Sequence, residues 1–156
     1  MTIYDGSIHP YGIFKEIDTY AKANGSVILK EKIFKEKDDK GNIKETKREV
    51  FDYYKPNHEN EFVIIIIDHL SLLTQQSATD LKKTMEICSL NLIQLRNMYG
   101  YIPVAIQQQM ASQEGVENIK LSKLEPSLNG LADSKLTGRD CDVCIGLFSP
   151  YRHEIP

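Results

Sequence analysis

Asp68 directly follows a run of apolar residues, and a carboxylate in this position could bind a cation. Positions 62–67 read FVIIII, and His69 follows the aspartate. A carboxylate beside buried apolar residues is costly unless it meets water or a cation. A hard carboxylate suits Mg²⁺, often through water and beside the phosphates of a ligand. We therefore take Asp68 as a candidate metal-associated residue and assign His69 a structural or supporting role.

A second polar group follows the next apolar run. Positions 102–106 read IPVAI, and three glutamines occupy 107–109. In open parallel sheets, ligands bind beyond the carboxyl ends of the strands. If both apolar runs are parallel strands, Asp68 and the glutamines lie at the same edge of the sheet.

The three cysteines do not indicate a metal site or a disulfide framework. Cys88 lies within an apolar stripe at helical spacing, which is typical of a core residue. Cys141 and Cys144 have the CxxC spacing but lack a second pair of ligands, so zinc is not expected. On a strand, residues three apart point to opposite faces. An odd number of cysteines is typical of reduced thiols in a cytosolic protein.

Composition limits the class of protein. The chain has 156 residues, with 41% hydrophobic residues, 26% charged residues and a net charge of −3. These values predict one globular domain over 1–156 and exclude a wholly basic nucleic-acid coat. The longest strongly apolar run has six residues, against roughly 20 for a membrane-spanning helix. We find no secretory leader and expect a cytoplasmic protein without membrane contact.

Periodicity predicts the elements that position these residues. Apolar residues at helical spacing predict two long helices, and short apolar runs predict strands. The unbroken β-branched run before Asp68 is typical of a central strand covered on both faces. The order predicts an α/β fold with a mostly parallel sheet flanked by helices. The predicted helices span 10–23 and 77–99, the strands 2–5, 62–68, 102–106 and 142–148, a long loop 110–125, and one or two helical turns 128–136.

Residues 27–55 differ from the rest because charged residues alternate with apolar ones. Between Lys30 and Lys55 there are nine basic and seven acidic residues. The central sequence DDKGN, at 38–42, is a strong turn signal. We interpret this segment as an inserted, charged β-hairpin. It is either a solvated protrusion or a contact arm for a partner subunit or nucleic acid.

Three segments together resemble the RecA-like motor domain of DnaB-type replicative helicases, including phage versions. FVIIIIDHLSLL at 62–73 is similar to the Walker B strand of that family. PVAIQQQ at 103–109 resembles the next strand, which ends in a glutamine that senses the γ-phosphate. LADSKLTGRDCDVCI at 131–145 resembles the motif that leads into the last central strand. The resemblance covers most of the chain except 27–55.

The resemblance implies roles for individual residues. Asp68 corresponds to the Walker B aspartate that associates with Mg²⁺ and ATP. If the strand is aligned with the family by its alternation of side chains, the sensor is Gln108. If it is aligned without a gap from Pro103, the sensor is Gln109. We prefer Gln108. The loops at 70–79 and 110–125 correspond to those that line the channel for single-stranded DNA in a homo-hexameric ring. Candidate DNA-binding cations are Lys120, Lys123, Lys135 and Arg139.

The departures from the family are as informative as the matches. The sequence contains no GxxxxGK[ST] phosphate loop, which normally supplies backbone N–H groups and a lysine to the phosphates. The arginine finger of the family has no counterpart either. We therefore expect a partial domain, inactive on its own, of an ATP-dependent helicase. The alternative is a stand-alone, non-catalytic RecA-like module that binds nucleic acid or a partner protein.

Overall fold

The structure, a computed structural model, is a mixed α/β arrangement and describes residues 9–37, 41–75, 80–121, 124–131 and 136–149. It contains an antiparallel hairpin and a short parallel sheet. In chain order the elements are α1 (Pro10–Ala23), β1 (Gly25–Lys37), β2 (Ile43–Pro56), β3 (Ile64–Ile67), α2 (Leu81–Tyr99), β4 (Ile102–Ala105), α3 (Val116–Lys120) and α4 (Leu136–Asp140), with 3₁₀ turns at Leu70–Leu72, Ala111–Glu114 and Leu128–Gly130.

Local signals fix the ends of the two long helices. Pro10 begins α1, where its missing N–H costs nothing, and this confirms the predicted span. Helix α2 begins later than the expected residue 77, because the Asp80 side chain caps it by accepting a hydrogen bond from the Lys83 backbone N–H at 2.7 Å. Gly100 ends α2 with a φ of 70°, a left-handed conformation that glycine adopts without strain.

Strands β3 and β4 pair in parallel, as the two apolar runs predict. Ile64 lies opposite Ile102, and Ile67 lies opposite Ala105. Helix α2 is the crossover between them, as parallel neighbours require. The ladder continues past the strands, since the Ile106 N–H donates to the Ile67 carbonyl at 3.0 Å and the Leu70 N–H donates to the Ile106 carbonyl at 2.9 Å.

The core lies on one side of this sheet. Met85 and Leu95 of α2 are fully buried, and Ile65 and Ile67 pack against the same cluster. Ile64 and Ile66 point the other way and are 58% and 66% exposed. The expected coverage on both faces is therefore wrong for the described residues, because α1 and α2 cover one face and no described element covers the other.

Two further predictions need correction. Residues 142–148 form no strand. The chain around the start of this segment is instead hydrogen-bonded to α2, where Ser89 donates to Asp140 and Arg96 donates to Asp142. The expected loop over 110–125 contains the 3₁₀ turn Ala111–Glu114 and helix α3. Of the helical turns expected over 128–136, the 3₁₀ turn Leu128–Gly130 is present. Helix α4 begins only at Leu136, the last residue of that range, and 132–135 lie outside the described residues. The predicted strand over 2–5 lies outside the described residues.

The hairpin prediction is confirmed. β1 and β2 pair from Gly25 with Pro56 to Lys37 with Ile43, with one irregularity between Ile28 and Leu29. Tyr54 anchors the base of the hairpin, because its hydroxyl donates to the Ala21 carbonyl at 2.8 Å and its ring packs on Tyr99 and Tyr101. We call the part beyond this base, residues 29–51, the arm, and the described remainder the body.

Candidate functional site

The candidate site is the carboxyl edge of the β3–β4 pair. Asp68 follows β3 directly, and the extended ladder places its segment beside Ile106. The Asp68 side chain is exposed to solvent. Parallel pairing therefore brings the predicted carboxylate and the start of the glutamine run to one edge of the sheet, as the sequence predicts.

The three glutamines at this edge have different surroundings. Gln107 is half-buried and accepts a hydrogen bond from the Thr137 hydroxyl of α4. Gln109 forms an isolated bridge with Leu131, and its Nε2 is buried with no hydrogen-bond partner among the residues that the structure describes. Gln108 lies between them and is exposed.

Alternation along β4 relates these glutamines to Asp68. Ile102, Val104 and Ile106 are exposed on the open face of the sheet at 44%, 41% and 41%. Successive side chains of a strand alternate between faces. Strand β4 ends at Ala105, but the exposure pattern continues beyond it, because Ile106 and Gln108 are both exposed. Gln108 thus shares the exposure of the open-face residues. Gln107 and Gln109 have the opposite phase, and both are half-buried.

His69 is the residue that follows Asp68 at this edge. The peptide bond between Asp68 and His69 is cis. The His69 Nδ1 is buried, and within the described ranges it has no hydrogen-bond partner. The sequence marks His69 only as a neighbour of Asp68. Thr137, which holds Gln107, gives no signal in the sequence because its contribution depends on how α4 packs.

The described residues do not form a complete site for Mg²⁺ or ATP. No group of three or more His, Cys, Asp or Glu residues is placed to hold a metal ion within the described ranges. The sequence also lacks a glycine-rich phosphate loop. Asp68 supplies one exposed carboxylate, which fits water-mediated association with a cation whose other ligands come from elsewhere.

The two predicted DNA-binding cations that the structure describes, Lys120 and Arg139, lie on separate elements. Lys120 is the last residue of α3, which contacts the neighbouring 3₁₀ turn, and its side chain is exposed. Arg139 is exposed on α4, which packs against α2. Lys123 and Lys135 lie outside the described residues. The structure thus describes two of the four cations and does not bring those two into one element.

The cysteines divide into one buried and two exposed thiols. Cys88 is 1% exposed in the core, and burial raises the pKa of its thiol to about 12. Cys141 and Cys144 are exposed and close enough to interact, and burial together with Cys144 raises the pKa of Cys141. The expectation that they point to opposite faces is wrong, because this segment is not a strand.

Comparison with known proteins identifies no relative: no protein-family model, curated protein or solved structure matches the chain. The part of the chain that the structure describes contains no helix long and apolar enough to cross a membrane.

Proposed function

We propose that this chain is part of the ATP-driven, single-stranded-DNA-translocating motor of a DnaB-like replicative helicase. In this proposal it carries the Walker B strand and the sensor strand of a RecA-like domain. One observation carries the proposal: β3 and β4 pair in parallel with a register that brings the Asp68 segment and the glutamine run to one edge. A carboxylate that associates with Mg²⁺ and an amide that senses the γ-phosphate must lie close together, because both act on the same nucleotide.

The phase of β4 sharpens the assignment of the sensor. The Gln108 side chain is exposed, like those of Ile106 on the same segment and Ile66 on β3. Ile66 lies two residues before Asp68. Gln107 is engaged by Thr137, and Gln109 bridges to Leu131. An exposed amide on the open face suits contact with a phosphate better than a half-buried one does. The proposal therefore takes Gln108 as the sensor and Gln109 as the second choice.

The open face also supports the view that the chain is part of a larger domain. Parallel sheets occur almost only where both faces are covered. Here Ile64 and Ile66 are more than half exposed, and Val143, Ile145 and Leu147 of the unpaired segment are 75%, 80% and 90% exposed. These exposed apolar side chains are consistent with a fold in which strands and helices from elsewhere in the motor cover them.

In this proposal the residues of the chain act on a site that other parts of the motor complete. Bound Mg²⁺ would neutralise charge on the phosphates of ATP. Asp68 would hold water bound to the cation, and Gln108 would donate its amide N–H to a phosphate oxygen. Six such subunits would form a ring around single-stranded DNA, with Lys120, Lys123, Lys135 and Arg139 as candidate backbone contacts.

The test is an Asp68→Asn substitution in a full-length motor that contains this chain. The substitution is nearly isosteric but removes the charge that faces the metal. We expect ATP turnover to fall about 100-fold or more, because stabilisation of transition-state charge by a metal is worth several kcal/mol. The chain alone should release no phosphate from ATP, since it lacks the phosphate loop.

A matched control is Asp80→Asn, which makes the same chemical change at a helix N-cap where asparagine is equally suitable. It should leave turnover unchanged. A loss of thermal stability without a loss of turnover in Asp68→Asn would contradict the proposal. Turnover by the chain alone that depends on Asp68 would contradict the view that this is a partial domain.

The second candidate is a stand-alone, non-catalytic RecA-like module. The missing phosphate loop favours it, because the module would need the fold and not the nucleotide site. Gene context separates the two: an in-frame GxxxxGK[ST] sequence upstream supports the motor, and its absence supports the module.

A further inference from the structure

The two faces of the arm differ in charge. Paired residues of an antiparallel ladder share a face, and successive residues alternate. The register therefore assigns every paired side chain of the arm, in 29–37 and 43–51, to one of two faces. The even face carries Lys30 with Val50, Lys32 with Arg48, Phe34 with Thr46, and Glu36 with Lys44; the odd face carries Leu29 with Phe51, Glu31 with Glu49, Ile33 with Lys47, Lys35 with Glu45, and Lys37 with Ile43.

Positive charge is concentrated on the even face. It has four cations, while its carboxylates are Glu36 and, at the base of the arm, Asp52, which pairs with Lys30. The odd face has three cations and three carboxylates, so it is neutral overall. Charges of both signs would be mixed on both faces if solubility alone determined them.

Among the described residues, two cations of the even face have no carboxylate as ion-pair partner. Lys30 pairs with Asp52 at 2.6 Å, and Arg48 pairs with Glu36 at 2.7 Å. Among the described residues, neither Lys32 nor Lys44 forms an ion pair. The ammonium group of Lys32 instead lies over the Phe34 ring, 5.6 Å from its centroid. These two lysines therefore offer positive charge to a partner.

Phe34 organises this face but is not open for base stacking. The Arg48 guanidinium also lies over its ring, 5.5 Å from the centroid. Cations over an aromatic face are attracted by the quadrupole of the ring. The ring thus holds Lys32 and Arg48 side by side. This arrangement suits a row of anionic groups better than a nucleobase that would stack on the ring.

The shape of the arm suits an extended partner. The nine residues of β1 that belong to the arm, 29–37, span roughly 30 Å at about 3.3 Å per residue. Residues 29–51 contain eight basic and six acidic residues, whereas the whole chain has a net charge of −3. The arm is thus a basic extension on an otherwise acidic molecule, and its even face would attract a polyanion at long range.

We propose that the even face of the arm binds the phosphate backbone of nucleic acid, with Lys32 and Lys44 as the main phosphate contacts. A two-stranded ribbon fits the major groove of duplex DNA, which is about 12 Å wide. The phosphates of a single strand present the same chemistry. This inference rests on the arm alone and stands whether or not the body belongs to an ATP-driven motor.

The test measures binding of a labelled duplex and of a labelled single strand by fluorescence anisotropy across a salt series. The test variant is Lys32→Ala/Lys44→Ala, and the control is Lys35→Ala/Lys37→Ala. Both remove two positive charges from the distal arm, but from opposite faces. The test variant should reduce the log–log salt slope by about 1.8 for duplex or about 1.4 for single strand. The control should leave it unchanged.

The two nucleic acids distinguish the sources of phosphate: the form whose slope falls is the one bound, and a fall with either form supports the proposal. Lys32→Arg/Lys44→Arg keeps the charge and should keep the slope, which separates charge from folding of the arm. An equal loss in the test and control variants would overturn the proposal. So would an absence of binding by the unmodified chain at low salt, or equal competition by polyglutamate.

Discussion

The arm and the body use their apolar side chains differently. In the body, Met85 and Leu95 are fully buried, and α1, α2 and the covered face of β3 meet around them. In the arm, Leu29, Ile33 and Ile43 are 49%, 52% and 64% exposed. Cross-strand hydrogen bonds and ion pairs hold the arm instead, among them Lys35 with Glu45 at 3.0 Å.

The comparison indicates that the body contributes most of the stability and that the arm contributes little. Burial of apolar area is the dominant favourable term in folding. Exposed ion pairs add little, because water and salt screen them. A two-stranded hairpin is marginally stable by itself, so the arm depends on its anchor at Tyr54.

The largest expected effect is a core truncation. Leu95→Ala should lower the free energy of unfolding by about 2–5 kcal/mol, since Leu95 is fully buried and its removal leaves a cavity. Ile33→Ala on the arm should change it by about 0.5 kcal/mol or less. Urea unfolding followed by circular dichroism measures both. Equal losses would show that the arm contributes to the core as much as the body does.

The anchor between the two regions should have an intermediate effect. Tyr54→Phe removes the hydroxyl that donates to the Ala21 carbonyl at 2.8 Å, and should cost about 0.5–1.5 kcal/mol. The control is Tyr53→Phe, because Tyr53 is 52% exposed on the neighbouring position. Limited proteolysis should show faster cleavage of the arm in Tyr54→Phe only. Identical proteolysis of the two variants would contradict the anchor.

Acid should weaken the body through Asp18. Burial alone would raise the pKa of Asp18, but hydrogen bonds from Lys22 and Tyr99 lower it below its ordinary value near 3.8. A lowered folded-state pKa stabilises the protein above the unfolded-state value, and this contribution is lost as the pH falls below about 3.8. Asp18→Asn should lower stability at pH 7. In a plot of urea midpoint against pH, it should also make the decrease at acid pH (the acid limb) less steep. A limb as steep as in the unmodified protein would refute this.

The smallest expected effect is the loss of one ion pair in the arm. A double-mutant cycle on Lys35 and Glu45 should give a coupling energy of about 0.2–1 kcal/mol that declines with added salt. Both side chains are more than half exposed. A larger, salt-independent coupling would mean that the arm is held by more than screened surface contacts.

The sequence predicts well those elements whose signals are local. Helix α1 has proline at its start and Asn24 at its end, and the hairpin has a strong turn sequence between charged strands. Both are present with nearly the expected bounds. The parallel pairing of β3 with β4 was also predictable, because a helix of suitable length connects two apolar runs.

The failures concern positions where the outcome depends on a neighbour. The four isoleucines of β3 predict a strand equally well whether one face or both are covered, so exposure of Ile64 and Ile66 could not be foreseen. Residues 142–148 have the composition of a strand, yet a strand needs a paired edge. At the candidate site, the sequence nominates Asp68 and Gln108, whose roles stay predictions. The contact of Thr137 with Gln107 and the burial of the Gln109 amide depend on tertiary packing.

The crossover through α2 has a consequence for synthesis on the ribosome. The chain emerges from its N-terminus, so α1 and both strands of the arm are complete before β3 is made. Ile64 pairs with Ile102, and β3 must therefore wait for the whole of α2 and for the residues beyond Gly100. During that interval its isoleucines lack their strand partner and are open to contact with other chains. Transiently exposed apolar surface and unpaired strand edges make folding chains prone to aggregation, so this interval is the point at which the chain is most exposed to misassembly.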